Sequence, residues 1–131
     1  MDNKDFDGWI KVKEKLHYSG RIRTVNVGDV WWYAAGENIR TEINGKSMRF
    51  SRPVLIIKKF GKYSFFGIPL TTQKHTGSWY VPFVFQGKQE VAALHQSRNI
   101  DVSRLYDKIG QVPKSDLDLV LGGLTRLLLD K

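Results

Sequence analysis

Three stretches of this 131-residue sequence gather side chains able to do chemistry without a metal or a bound cofactor. The first is Arg40-Thr41-Glu42-Ile43-Asn44-Gly45, followed by Arg52-Pro53. The second runs from Pro69-Leu70 into Thr71-Thr72-Gln73-Lys74-His75, and the third is His95-Gln96-Ser97-Arg98-Asn99-Ile100-Asp101. Guanidinium groups and hydroxyl donors stabilise negative charge developing on an oxygen, while a carboxylate or imidazole moves the proton. Other chemistries are excluded by what is missing. The chain has no cysteine, which removes thiolate metal sites, disulfides and a thiol nucleophile. His17, His75 and His95 lack metal-ligand spacing, and no phosphate-binding Gly-rich loop or Gly-x-Ser-x-Gly elbow is present. No metal and no cofactor are expected.

Each of these residues also has a plainer reading. Arg52 opens a buried apolar run, so its head must reach a partner or a cavity rim; it either pairs with Glu42 and pins the loop or faces a substrate. Thr71 and Thr72 suit an ordinary strand end. His95 reads either as a satisfied, partly buried histidine or as a base, since an imidazole titrates near neutral pH.

The elements that must position them are mostly strands. Asp29-Val30-Trp31-Trp32-Tyr33 is rich in β-branched and aromatic residues, and residues 35–51 read as a long polar loop. Pro53-Val54-Leu55-Ile56-Ile57 is a continuous apolar run, hence a strand buried on both faces. Gly61-Lys62 turns the chain into a strand over 63–70; a loop over 71–77 follows, then strands over 78–85 and 90–94 around a Gln86-Gly87-Lys88 turn. Many short strands with glycine turns predict a mainly β fold, a strongly bent antiparallel sheet or small barrel. A C-terminal helix closes it, with Ser115 as its cap and Asp118 as capping-box partner. Its predicted apolar stripe is Leu117, Val120, Leu121, Leu124 and Leu128. Gly122-Gly123 interrupts that helix, either as a weak spot or for close approach to a neighbour. Residues 1–26 form an N-terminal extension, readable as a short helix or a strand, and 27–131 form the single domain.

Composition sets the class. Hydrophobic residues make up 41% and charged residues 26%, values of a globular domain that needs no staple. No run approaches membrane-spanning length and the N-terminus is polar, so a soluble, cytoplasmic chain is expected. Twenty-one Lys and Arg against thirteen Asp and Glu give a net charge of +8. The surplus is interleaved with four Trp, five Tyr and seven Phe, a combination that suits nucleic acid because cations track phosphates and rings stack on bases. Aromatics are also good strand residues.

Taken in series, these segments resemble the MazF/PemK/Kid toxin family of type II toxin–antitoxin modules. Gly28-Asp29-Val30-Trp31-Trp32, Glu42 with Asn44-Gly45, and Arg52-Pro53-Val54-Leu55-Ile56-Ile57 resemble its opening. Ile68-Pro69-Leu70-Thr71-Thr72-Gln73 is similar to its next strand and loop, and Gln96-Ser97-Arg98-Asn99-Ile100-Asp101 with Arg104-Leu105 to its Gln-x-Arg-x-Ile-Asp segment. The resemblance implies a small SH3-like antiparallel β-barrel with a C-terminal amphipathic helix, usually a homodimer. It implies an endoribonuclease that needs neither ribosome nor metal and cuts single-stranded mRNA by 2′-OH attack. The implied partner is an acidic, partly disordered antitoxin, with DNA bound only through the toxin–antitoxin complex and no membrane contact.

Carried over residue by residue, the resemblance makes Arg52 and Thr71 catalytic, the first on the phosphorane and the second on the scissile phosphate. Thr41, Glu42, Thr72, Gln96 and Arg98 are implied to bind substrate. The Kid branch places Arg and Asp where Ala93 and His95 stand here, so its acid–base pair does not transfer, and His95 is the candidate replacement base. Residues 46–51 lengthen the first loop relative to compact members. Two rivals follow: a nucleic-acid-binding barrel that has lost catalysis, and a toxin of this fold aimed at a protein.

Overall fold

The structure is a computed structural model and describes residues 23–35 and 51–130. The helix or strand read in the extension, most of the long polar loop, and with it Thr41 and Glu42, lie outside the described residues. Among the described residues seven strands and one α-helix follow in order: β1 (Asp29–Ala34), β2 (Ser51–Phe60), β3 (Ser64–Thr71), β4 (Tyr80–Phe85), β5 (Lys88–Ala93), β6 (Arg98–Asp101), β7 (Leu105–Gln111) and α1 (Lys114–Leu129). Every pairing is antiparallel, along the path β4-β5-β3-β2-β1-β7. β3 divides its other edge, pairing Ser64–Gly67 with β6 and then Leu70 and Thr71 with β5.

That handover bends the sheet and gives it two cores. In β2 the apolar run alternates: Leu55 and Ile57 face one cluster with Val30, Ile68 and Leu70, while Val54 and Ile56 face another with Trp31, Tyr33 and Phe65. All four β2 side chains are buried, as a strand covered on both faces requires. α1 roofs the first cluster. The path is a curled sheet rather than a closed barrel. No ladder joins its end strands β4 and β7; instead the Gln86 side-chain amide in the β4–β5 turn donates to the Ile109 carbonyl of β7 at 3.1 Å. Gln86 and Gly87 both have positive φ, 52° and 77°, the signature of the two-residue hairpin turn whose twist matches its strands.

The helix departs from expectation at both ends. It starts at Lys114 with Pro113 as its N-cap, and no side chain caps it, so Ser115 already lies in the first turn and the box with Asp118 does not form. Pro113 fits this place because its ring presets φ and its carbonyl receives the Asp116 and Leu117 amides. At the other end Leu127, not Leu128, completes the buried stripe; Leu128 is 73% exposed. Gly123 explains half of the glycine pair: a Cβ there would stand 2.6 Å from Val81 Cγ2, so the helix backbone rests on β4. Gly122 faces outward, with only Arg126 Nη1 nearby at 3.7 Å.

β6 and β7 were not apparent in the sequence. Their side chains are largely polar, and β7 pairs with β1 through register shifts that break simple alternation. A buried carboxylate anchors this seam. Asp29 is fully buried and accepts from the Asn26 backbone N–H at 2.9 Å, Trp31 Nε1 at 3.3 Å and Gln111 Nε2 at 3.2 Å, with Lys108 Nζ 3.3 Å away. Its charge is therefore satisfied within the fold, as burial demands. No helix among the described residues is long and apolar enough to cross a membrane.

Candidate functional site

Arg52 and Thr71 come from strands that diverge at one end of the sheet, just outside the Val54↔Pro69 register of β2 and β3. Arg52 stands opposite Tyr33 on β1, and Thr71 opposite Val91 on β5. A third element brings Gln96. The 3-10 turn Leu94–Gln96 follows β5 and is closed by Ser97, whose Oγ and N–H both donate to the Leu94 carbonyl, at 2.7 and 3.2 Å. From that turn Gln96 Oε1 accepts a hydrogen bond from Arg52 Nη1 at 3.0 Å. The long-range partner of Arg52 is thus Gln96 in the Gln-x-Arg segment. Arg52 is held yet remains partly exposed, as a group meant to meet a ligand must be.

Two cavities share this corner. One, of about 350 Å³, is lined by Arg52, Thr71, Gln73, His75, Tyr80, Ala93 and Gln96. The other, of about 560 Å³, includes Arg52, Thr71 and Gln73 and extends past Thr72, Trp32, Phe85 and Glu90. Thr71 Oγ1 accepts the Gln73 backbone N–H at 3.2 Å, which leaves its hydroxyl hydrogen free to be given to an incoming oxygen. Thr72 lines only the larger cavity.

The histidines divide differently from the sequence expectation. His75 lines the smaller cavity and stacks on Tyr80 with ring centroids 4.6 Å apart. His95 is exposed and packs against Trp79 at 5.5 Å and nearly perpendicular to Tyr80 at 5.2 Å; it is one ring removed from the cavity. Arg98, on β6 opposite Gly67, is exposed and belongs to a neighbouring cationic face. Burial pushes the Tyr33 phenol up, opposed by the positive charges of Arg52, Arg98 and Arg104, which all act on it electrostatically. Arg104 also donates to the Ala34 carbonyl at 3.4 Å.

The structure thus brings Arg52, Thr71 and Gln96 together, keeps Thr72 adjacent, and sets Arg98 and His95 at the margins. Gln73 and His75, which the second stretch included without a role of their own, complete the walls together with Tyr80 and Glu90, which were not singled out. Glu90 had a signal: it shares the inward register with Ala92 and Leu94, so an acidic residue stands where the strand faces the interior. Tyr80 had none, and although His75 closed the second stretch, the stack on Tyr80 that turns it to the cavity wall is not encoded by spacing. Among the described residues no three His, Cys, Asp or Glu side chains gather to hold a metal ion.

The same fold occurs in solved toxin structures. An endoribonuclease in complex with its cognate antitoxin from mycobacterial species superposes with a TM-score of 0.63 at 17% identity, covering 82% of this chain and 99% of that one. MazF from Deinococcus radiodurans matches twice. In its complex with MazE the TM-score is 0.61 at 19% identity over 83% of this chain and 99% of that one. Alone it matches at 0.60 and 19% over 81% and 97%. At these identities the likeness is one of fold: a curled antiparallel sheet with a C-terminal helix. The sequence carries the assignment further. Residues 26–128 match the family of PemK-like, MazF-like toxins of type II toxin–antitoxin systems, and the chain belongs to that family. A comparison with curated proteins finds no match.

Proposed function

We propose that this toxin is an endoribonuclease that cuts single-stranded RNA at the corner where Arg52 meets Thr71. The observation that carries the proposal is the Arg52–Gln96 hydrogen bond, which holds a guanidinium over a cavity also walled by a threonine hydroxyl. In the reaction the ribose 2′-OH attacks the adjacent phosphorus as the bond to the 5′ oxygen breaks, giving a 2′,3′-cyclic phosphate and a 5′-OH. Arg52 stabilises the charge gathering on the phosphorane oxygens and Thr71 donates its hydroxyl hydrogen to one of them. An imidazole takes the 2′ proton, and the departing 5′ oxygen takes a proton from solvent water to become the 5′-OH. Two stand near: His75 at the cavity wall and His95 beyond Tyr80. Arg98 and Arg104, whose charges act together with that of Arg52 on Tyr33, supply positive charge for the flanking phosphates. Solved structures of this fold support the reading, one being an endoribonuclease in complex with its cognate antitoxin. The +8 net charge suits an acidic antitoxin that covers the same face.

The nucleophile is the point to test. Replacing the 2′-OH by hydrogen at the cleaved nucleotide of a defined RNA should abolish cutting there while neighbouring sites survive. Cutting that persists at the deoxy position contradicts the mechanism.

A further inference from the structure

The β2–β3 hairpin carries a charged patch that the cutting site does not use. Its tip reads Lys58-Lys59-Phe60-Gly61-Lys62-Tyr63, with three cations, two rings and no acid, and all six residues are exposed. A hollow of about 300 Å³ opens beside it. Arg23, Lys59 and Lys62 line that hollow, Thr24 adds a hydroxyl, and none of its lining residues is acidic. Arg23 is held by neutral partners. Its Nη1 donates to the Tyr106 carbonyl of β7, and its guanidinium carbon stands 5.9 Å from the centroid of the Trp31 ring. Its direction is thus fixed while its charge stays uncancelled, as for Arg52. Among the described residues no carboxylate forms an ion pair with Lys58, Lys59 or Lys62; the pair found there is Lys108 with Asp29. Like charges gathered this closely repel one another, a cost that a bound anion removes. Phe60 and Tyr63 are 49% and 53% exposed. Half-exposed rings among uncancelled cations are the parts of a single-strand contact, in which rings stack on bases and cations track phosphates.

We infer that the hairpin tip is a second contact for single-stranded RNA, separate from the Arg52–Thr71 corner, which holds the strand to one side of the cut. A phosphate enters the hollow of Arg23, Lys59 and Lys62, and a neighbouring base stacks on Phe60. The inference rests on the proposed RNA-cutting function and adds a binding site to it. Arg52 and Lys59 stand towards opposite ends of β2, roughly 20 Å apart at about 3.3 Å of rise per residue. A strand therefore reaches both only through several intervening nucleotides, and the tip acts on affinity rather than on the reacting atoms. Shape favours RNA over an acidic helix of a protein partner. The hollow admits a phosphate with its ribose, whereas a helix about 10 Å across docks in a long apolar groove. The tip is instead a tight turn, with Gly61 at a φ of 73°.

The full chain is titrated with a fluorescent, mixed-sequence, all-deoxy strand of two dozen nucleotides at several salt concentrations. Lacking 2′-OH groups, this strand reports binding alone. Each phosphate contact with a single strand contributes about 0.7 to the slope of log affinity against log salt, so Lys59→Gln combined with Lys62→Gln should flatten it by about 1.4. Both side chains are exposed, so the double variant should melt as the native chain does. Lys114→Gln, at the start of α1, should leave the slope unchanged. Phe60→Ala should weaken binding about fivefold or more. On RNA the double variant should raise KM severalfold with kcat unchanged, the mark of a contact remote from the reacting atoms. An unchanged slope in the double variant, an equal flattening per charge in Lys114→Gln, or no binding of the strand would overturn the inference. So would a double variant that loses affinity for a polyglutamate peptide yet holds the strand as tightly as the native chain, which marks a site for protein. The expected flattening in a chain that never cuts RNA leaves the contact standing and the nuclease reading refuted. Cutting with an unchanged slope does the reverse.

Discussion

Arg52 is anchored by a neutral amide, not a carboxylate, and that choice of partner has consequences. The bond to Gln96 fixes the guanidinium's direction while its full charge stays available to a phosphorane. Arg52→Ala should lower the cutting rate by on the order of 100-fold, the effect of losing one preorganised donor to a charged transition state. Its melting temperature should stay close to native, because the lost bond is an exposed one. An unfolded variant would make Arg52 a structural pin, and a folded, fully active one would remove it from the chemistry. Glu90 behaves oppositely. Its folded carboxyl holds its proton more tightly than the unfolded chain does, so its contribution is most favourable below the ordinary glutamate value of 4.5 and is lost as pH rises through the folded value. Glu90→Gln should therefore melt higher than the native chain at neutral pH, with the gap narrowing as the solution is acidified. Melting curves across that range check it; a gap that widens in acid contradicts the assignment.

At the scale of elements, the two glycines of α1 separate cleanly. Gly123→Ala drives a methyl into Val81, a buried β-branched residue with little room to yield, and should destabilise by about 1–3 kcal/mol. Gly122→Ala meets only the flexible Arg126 side chain at ordinary contact distance and should stabilise by about 0.5–1 kcal/mol through helix propensity. Denaturant unfolding of both variants tests which face of the helix touches the sheet. These positions also show what a sequence conveys about elements. The Val54–Leu55–Ile56–Ile57 run announces a strand covered on both sides, and its burial follows from the bent sheet having a core on each face. Gly122 and Gly123 are indistinguishable in sequence, since only the position of β4 tells them apart. β7 is invisible for a related reason: its pairing depends on Asp29, Lys108 and Gln111 meeting across 82 residues and on bulges that spoil alternation. The site divides likewise. Arg52, Thr71 and Gln96 were candidates through a family resemblance spread over three segments, whereas the stack of His75, itself in the second stretch, on Tyr80 is encoded by no spacing.

The whole molecule sets a strongly positive chain against a corner made of two adjoining cavities. In the proposed reading, a phosphate of the single strand meets the rim that Arg52 and Thr71 share, and the strand follows the two adjoining cavities. The most direct test of that account incubates the pure protein with end-labelled, mixed-sequence RNA and with its DNA counterpart in excess EDTA, then maps the fragment ends. The account predicts discrete RNA cuts ending in 2′,3′-cyclic phosphate and 5′-OH, with the DNA intact. RNA left whole, cuts that need a divalent metal, or cleaved DNA would contradict it.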